Sequence, residues 1–181
     1  MPILQPDWPY RLFISYSRVD EAQKRRLREN LLVLEQAGMI SIWEDRCIDA
    51  GDDWLERLNA SLNSADVGLL LVSSAFLASR FCQSREVPDL LSRYTHSGSL
   101  VVPVIVDFCH WKAVPWLSRL QALPTDGVPV RGQRPQTKAW TNVTQGLAAR
   151  LESNPPKRRH GSSSRPGAGR EATHPLSKKS L

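Results

Sequence analysis

Two patterns of apolar and polar residues, one typical of strands and one typical of helices, alternate along the chain. Residues 11–16 and 40–43 are short apolar runs rich in β-forming side chains, whereas Leu27, Leu31 and Leu34 recur at helical spacing opposite charged positions. Strand and helix patterns continue to alternate as far as residue 151. This order predicts an α/β fold of strand–helix units around a parallel sheet.

The apolar run at residues 67–73 has no polar alternation, which predicts a central strand covered on both faces. Residues 100–108 form a further apolar run, in which Pro103 favours an edge position or a local bulge. Residues 128–130 predict a short fifth strand. Because open α/β sheets bind ligands beyond the carboxyl ends of their strands, we expect function at that edge.

The helical segments have recognisable ends. The first spans residues 20–37, with Asp20 or Ser17 as the cap and Gly38 as the residue that closes it. Three further helices are predicted at residues 54–63, 84–95 and 139–151.

The charge is concentrated at one end of the chain. Of its 24 basic and 18 acidic residues, seven basic and one acidic lie in residues 153–181, so residues 1–152 are formally neutral. The terminal stretch is rich in Pro, Gly and Ser and poor in large apolar residues, which predicts a disordered basic tail after a domain at 1–152. Without aromatic side chains, such a tail offers nucleic acid only weak phosphate contacts.

Cys47, Cys82 and Cys109 are odd in number and widely spaced, with no metal-ligand pattern. We therefore expect a reducing compartment and no structural metal. No apolar run approaches the length that crosses a bilayer, and the first residues lack the features of a secretion signal. These observations predict a soluble, cytoplasmic protein without a membrane partner.

Three segments at the expected sheet edge carry a family resemblance. Residues 13–17 read FISYS and lead to Asp20, which resembles the first conserved box of TIR (Toll/interleukin-receptor) domains. Residues 43–54, WEDRCIDAGDDW, resemble the second box, called the BB loop. Residues 72–88 are similar to the bacterial branch, in which a Ser, an aromatic–Cys pair and a Glu lead into a helix. The match covers residues 10–152.

The resemblance implies a flavodoxin-like three-layer sandwich with a central parallel five-stranded sheet. It also implies an NAD⁺ glycohydrolase, because many TIR domains cleave the nicotinamide–ribose bond with the Glu that matches Glu86. The product is ADP-ribose or a cyclic form. Since the chain lacks G-x-G-x-x-G, NAD⁺ is expected as a substrate and no cofactor is implied.

Glu86 has a second interpretation, because a Glu in the first turn of a helix commonly stabilises the helix dipole. The resemblance implies a set of substrate-binding residues around it. They are Tyr16, Ser17, Arg18, Asp45, Ile48, Asp49, Trp54, Ser79 and Cys82. At Cys82 the sequence departs from other branches, which carry a Trp.

TIR domains associate with one another through the BB loop and neighbouring helices. The resemblance therefore implies homo-oligomers on activation, triggered by a sensor partner or fused domain, in bacterial defence signalling. Two functional classes remain: an NAD⁺-cleaving enzyme, and an adaptor that only binds other TIR domains and keeps Glu86 as structure.

Overall fold

The computed structural model describes residues 9–47 and 54–157. Within them, four parallel strands form one sheet in the order β2-β1-β3-β4. The strands are β1 (Tyr10–Tyr16), β2 (Ile40–Cys47), β3 (Val67–Val72) and β4 (Leu100–Ile105). The predicted α/β fold with a central parallel sheet is confirmed.

The sheet is centred on β1 and β3, which pair from Leu12 opposite Val67 onward. All six residues of β3 are buried, as its unbroken apolar sequence predicts for a strand covered on both faces. β4 is an edge strand of the described sheet, which confirms the position that Pro103 favours. The Pro103 carbonyl accepts a hydrogen bond from Leu123 N, 2.8 Å away.

Seven helices connect and cover the described strands. They are α1 (Glu21–Gln36), α2 (Trp54–Ser64), α3 (Ser74–Leu77), α4 (Arg80–Gln83), α5 (Glu86–His96), α6 (Pro115–Ser118) and α7 (Gln136–Ser153). Gly38 follows α1 with φ +71, the left-handed conformation expected of a closing glycine.

Alternating side chains of β1 divide the core into two layers. Leu12, Ile14 and Tyr16 pack with apolar residues of α1 and α7. Phe13 faces the other way and packs with residues of α2 and α5, including Val87. Helices therefore cover both faces of the sheet, which gives the three-layer sandwich.

Three strand predictions are corrected. Residues 128–130 do not form a fifth strand: Val130–Gly132 is a 3-10 turn, and a single bridge between Val104 and Leu123 takes the place beside β4. Pro129 directly before the turn has no N–H to donate to a ladder. The second strand, predicted at 40–43, continues to Cys47, and the strand predicted at 100–108 ends at Ile105.

The described chain continues beyond the predicted domain boundary at Glu152. α7 ends at Ser153, Pro156 is buried, and Lys157 N donates to the Gly98 carbonyl at 2.7 Å. Gly98 lies two residues before β4, so this contact lies at the amino edge of the sheet. Residues 158–181 of the predicted tail lie outside the described residues.

Candidate functional site

Two predicted site residues lie at the end of the first strand. Tyr16 is its last residue, and Ser17 follows it. Both are buried, and the Lys24 ammonium lies 5.1 Å from the centre of the Tyr16 ring. Lys24 also pairs with Glu21 at 2.8 Å. Arg18 opens a 3-10 turn directly after the strand and is exposed. The structure thus brings a ring, a hydroxyl and an exposed cation to the carboxyl end of β1.

Asp20 occupies the cap position of α1 but makes no capping hydrogen bond with its side chain, and Ser17 makes none at the preceding turn. The capping prediction is wrong in this respect. Asp20 is instead buried, and its Oδ2 accepts a hydrogen bond from Ser73 Oγ at 2.5 Å. Ser73 Oγ in turn accepts from Phe76 N at 3.1 Å. A buried carboxylate therefore joins the segments that follow β1 and β3.

The connection from β3 to α5 contains Ser79 and Cys82 and ends at Glu86, the first residue of α5. Ser79 is buried, and its Oγ donates to the Phe76 carbonyl at 2.5 Å, so this hydroxyl holds the connection together. α5 begins at Glu86, and the next residue, Val87, is fully buried against the sheet. The backbone of Glu86 is thereby fixed at the amino end of an 11-residue helix, where a negative charge is favoured.

Cys82 in this segment and Cys109 in the segment after β4 are free thiols that pack against the same core cluster. Burial, with a smaller contribution from the nearby Cys109, raises the pKa of Cys82 to about 12. Burial also raises the pKa of Cys109, while a backbone hydrogen bond from Trp111 lowers it and the charges of Asp107 and Asp20 raise it. The segments that follow β1, β3 and β4 therefore converge at one edge of the sheet.

The predicted BB-loop residues are described in part. Asp45 lies within β2 and pairs in register with Ile14, so it belongs to the strand rather than to a loop. Trp54 is the first residue of α2. Ile48 and Asp49 lie outside the described residues.

A family model for the TIR domain matches residues 12–139, which is well over half of the chain and includes every described element of this edge. The chain belongs to the TIR domain family. It is also 33% identical over 153 residues to an uncharacterized protein, y4lF, of Sinorhizobium fredii. That match covers 81% of this chain and 47% of the relative, so the chain spans about half the length of the curated relative.

Two features of this TIR domain escaped the sequence interpretation. Ser15 is fully buried, and its Oγ has no hydrogen-bond partner in the described part of the chain. It lies between Ile14 and Tyr16 and so faces the side on which α5 packs. The other feature is the bond between Asp20 and Ser73, which are 53 residues apart in sequence. The FISYS motif contains Ser15 and is followed by Asp20. The motif alone does not reveal that the Ser15 hydroxyl is buried without a partner in the described part of the chain, or that Asp20 binds Ser73.

The described residues of the TIR domain contain neither a metal-binding cluster nor a membrane-spanning helix. No group of three or more His, Cys, Asp or Glu side chains is placed to hold a metal ion. No helix in the same ranges has both the length and the apolar character needed to cross a membrane.

Cys82 should resist alkylation in the folded TIR domain. With a pKa of about 12, about one Cys82 in 10,000 is a thiolate at pH 8, against about one in ten for a thiol at the ordinary value of 9.0. We expect iodoacetamide to modify Cys82 about 1,000-fold more slowly in the folded protein than in urea, as followed by peptide mass spectrometry. In the folded protein the rate should keep rising with pH toward 12, whereas in urea it should level off above the ordinary thiol pKa of 9.0. Equal rates in the two states would contradict the burial of this thiol.

Proposed function

We propose that this TIR domain is an NAD⁺ glycohydrolase that releases nicotinamide and leaves ADP-ribose or a cyclised form, with Glu86 as its catalytic residue. The observation that carries the proposal is the position of Glu86. This residue matches the family's essential Glu, and it begins α5 at the edge where three strand-following segments converge.

One carboxylate is sufficient for this chemistry. Nicotinamide leaves NAD⁺ as a neutral molecule from a cationic ring, so the bond breaks without a general acid. The barrier comes from the positive charge that develops on the ribose in an oxocarbenium-like transition state. A carboxylate at the ribose stabilises that charge as it forms, and therefore favours the transition state over bound substrate.

The residues after β1 supply complementary groups in this proposal. Arg18 is exposed at the same edge, and its guanidinium suits the pyrophosphate because it can donate two parallel hydrogen bonds. Tyr16 and Ser17 are assigned to the wall of the nucleotide pocket. The proposed set is completed by Asp45, Ile48, Asp49, Trp54, Ser79 and Cys82. The Ser79 hydroxyl already donates a hydrogen bond to the Phe76 carbonyl in its own segment.

Association with other TIR domains belongs to the same proposal. We assign activation to homo-oligomers that form when a sensor partner or a fused domain brings copies together, in the cytoplasm and in bacterial defence. Activity per molecule should then rise with protein concentration, because the active form is an assembly.

Nicotinamide release from NAD⁺ tests the proposal. The purified protein is assayed over a wide concentration range, with and without a crowding agent, and products are separated by chromatography. We expect equimolar nicotinamide and ADP-ribose, linear or cyclic, with specific activity that increases with concentration. Assembly, seen by light scattering, without any release would instead identify a TIR adaptor.

A further inference from the structure

Phe108 is an exposed aromatic residue at the edge that carries the proposed site. β4 ends at Ile105, and Phe108 follows three residues later with 68% of its surface exposed. An exposed ring of this size is uncommon unless it contacts something, because its burial would be favourable.

The ring of Phe108 is held on one side. A Cβ placed on Gly132 would lie 2.6 Å from Phe108 Cζ and 2.8 Å from Cε2, so the ring occupies the space that a side chain at 132 would take. The turn that contains Gly132 is fixed to β4, since Arg131 N donates to the Val106 carbonyl at 3.0 Å. An ion pair of 2.8 Å between Arg131 and Asp107 supports the same turn. Phe108 is thus a positioned aromatic surface rather than a freely rotating side chain.

This surface lies next to the segment that leads to Glu86. Cys109 follows Phe108 directly, and both Cys109 and Cys82 pack against the core cluster that contains Val87 of α5. Cys82 precedes Glu86 by four residues in sequence. Glu86 and Phe108 therefore belong to the segments that follow the neighbouring parallel strands β3 and β4, and a ligand that extends from one segment to the other connects them.

We propose that the Phe108 ring stacks against the adenine of NAD⁺, while the nicotinamide end lies at Glu86. The inference rests on the proposed function. Adenine suits this surface because it is planar and carries no charge, and stacking on an aromatic side chain requires no specific hydrogen bonds. The scissile bond must lie at Glu86, so the opposite end of the dinucleotide is the one available to Phe108.

The test compares NAD⁺ with nicotinamide mononucleotide, which has the same scissile bond and no adenine. Phe108→Ala should raise KM for NAD⁺ about 10-fold, as loss of one stacked base predicts, and should change kcat by less than about twofold. Turnover of the mononucleotide should not change. Phe108→Trp should restore a low KM, because it supplies another aromatic face.

Two further variants separate stacking from other roles. Gly132→Ala leaves Phe108 in place but pushes its ring aside, so it should raise KM for NAD⁺ and add little in combination with Phe108→Ala. Val33→Ala is the control, because Val33 is 58% exposed on α1 outside the proposed site. It should change neither substrate.

Several outcomes would overturn the inference. Equal losses with both substrates would assign Phe108 to structure, and a shift in the concentration dependence of activity would assign it to contacts between copies. If the wild-type protein cleaves neither substrate, the proposed function fails, and binding of ADP-ribose by calorimetry then decides the role of Phe108. Unchanged ADP-ribose affinity in Phe108→Ala would overturn stacking, whereas a loss of about 10-fold would support it.

Discussion

Glu86→Gln should lower kcat for NAD⁺ cleavage about 1,000-fold and leave KM within a few-fold of the wild-type value. The substitution removes the charge and keeps the shape and hydrogen-bonding reach of the side chain. In the proposed mechanism the carboxylate interacts with a charge that exists only in the transition state, so its loss falls on kcat, with a magnitude typical of electrostatic stabilisation. Steady-state measurements on assembled protein give both constants.

Asp89→Asn provides the matched control for Glu86→Gln. Asp89 is an exposed acid in the first turns of the same helix, so its replacement removes the same charge near the same dipole. If Glu86 only stabilised the helix, both variants would lose a similar stability of about 0.3–1 kcal/mol and keep full activity. Retention of more than about a tenth of the wild-type kcat in Glu86→Gln would contradict the catalytic assignment.

Asp20→Ala should lower the free energy of unfolding by about 2–4 kcal/mol. The change deletes a buried carboxylate that accepts a hydrogen bond from Ser73 Oγ, and it leaves that hydroxyl without this acceptor inside the protein. Urea denaturation, with equal m-values for the two proteins, measures the loss.

A double-mutant cycle with Ser73→Ala identifies the bond responsible. Ser73→Ala removes both the donor to Asp20 and the acceptor for Phe76 N, so it should also destabilise the protein. If the two side chains act together, the double variant should lose at least about 0.5 kcal/mol less than the sum of the single losses. Glu152→Ala, at an exposed acid near the end of α7, should stay within about 0.5 kcal/mol of wild type. Additive losses would show that Asp20 stabilises the fold through other contacts.

The order of elements could be predicted because the apolar pattern of the sequence shows which residues of the central elements are buried. β3 is apolar throughout, and α1 repeats its leucines at helical spacing. The edges of the sheet were harder to predict. β2 is an edge strand and continues through polar residues 44–46, which resemble a loop when only apolar runs are counted. Residues 128–130 contain too few positions to distinguish a strand from a turn.

The candidate site was predictable where short motifs carry it. The FISYS segment does end a strand at the carboxyl edge, and Glu86 does begin a helix there. The contacts between segments that are distant in sequence could not be predicted. The hydrogen bond between Asp20 and Ser73 and the position of Phe108 over Gly132 arise only when the fold brings segments that are distant in sequence together.

The hydrogen bond between Lys157 and Gly98 determines from which side of the molecule a label or linker attached after Lys157 starts. Gly98 precedes β4, whereas Glu86 and Phe108 belong to the opposite edge of the sheet. A fluorescent label or surface linker joined after Lys157 therefore starts on the far side of the molecule from the site. Immobilisation through that end leaves the site facing the solution, so copies can be tethered at controlled density while NAD⁺ retains access.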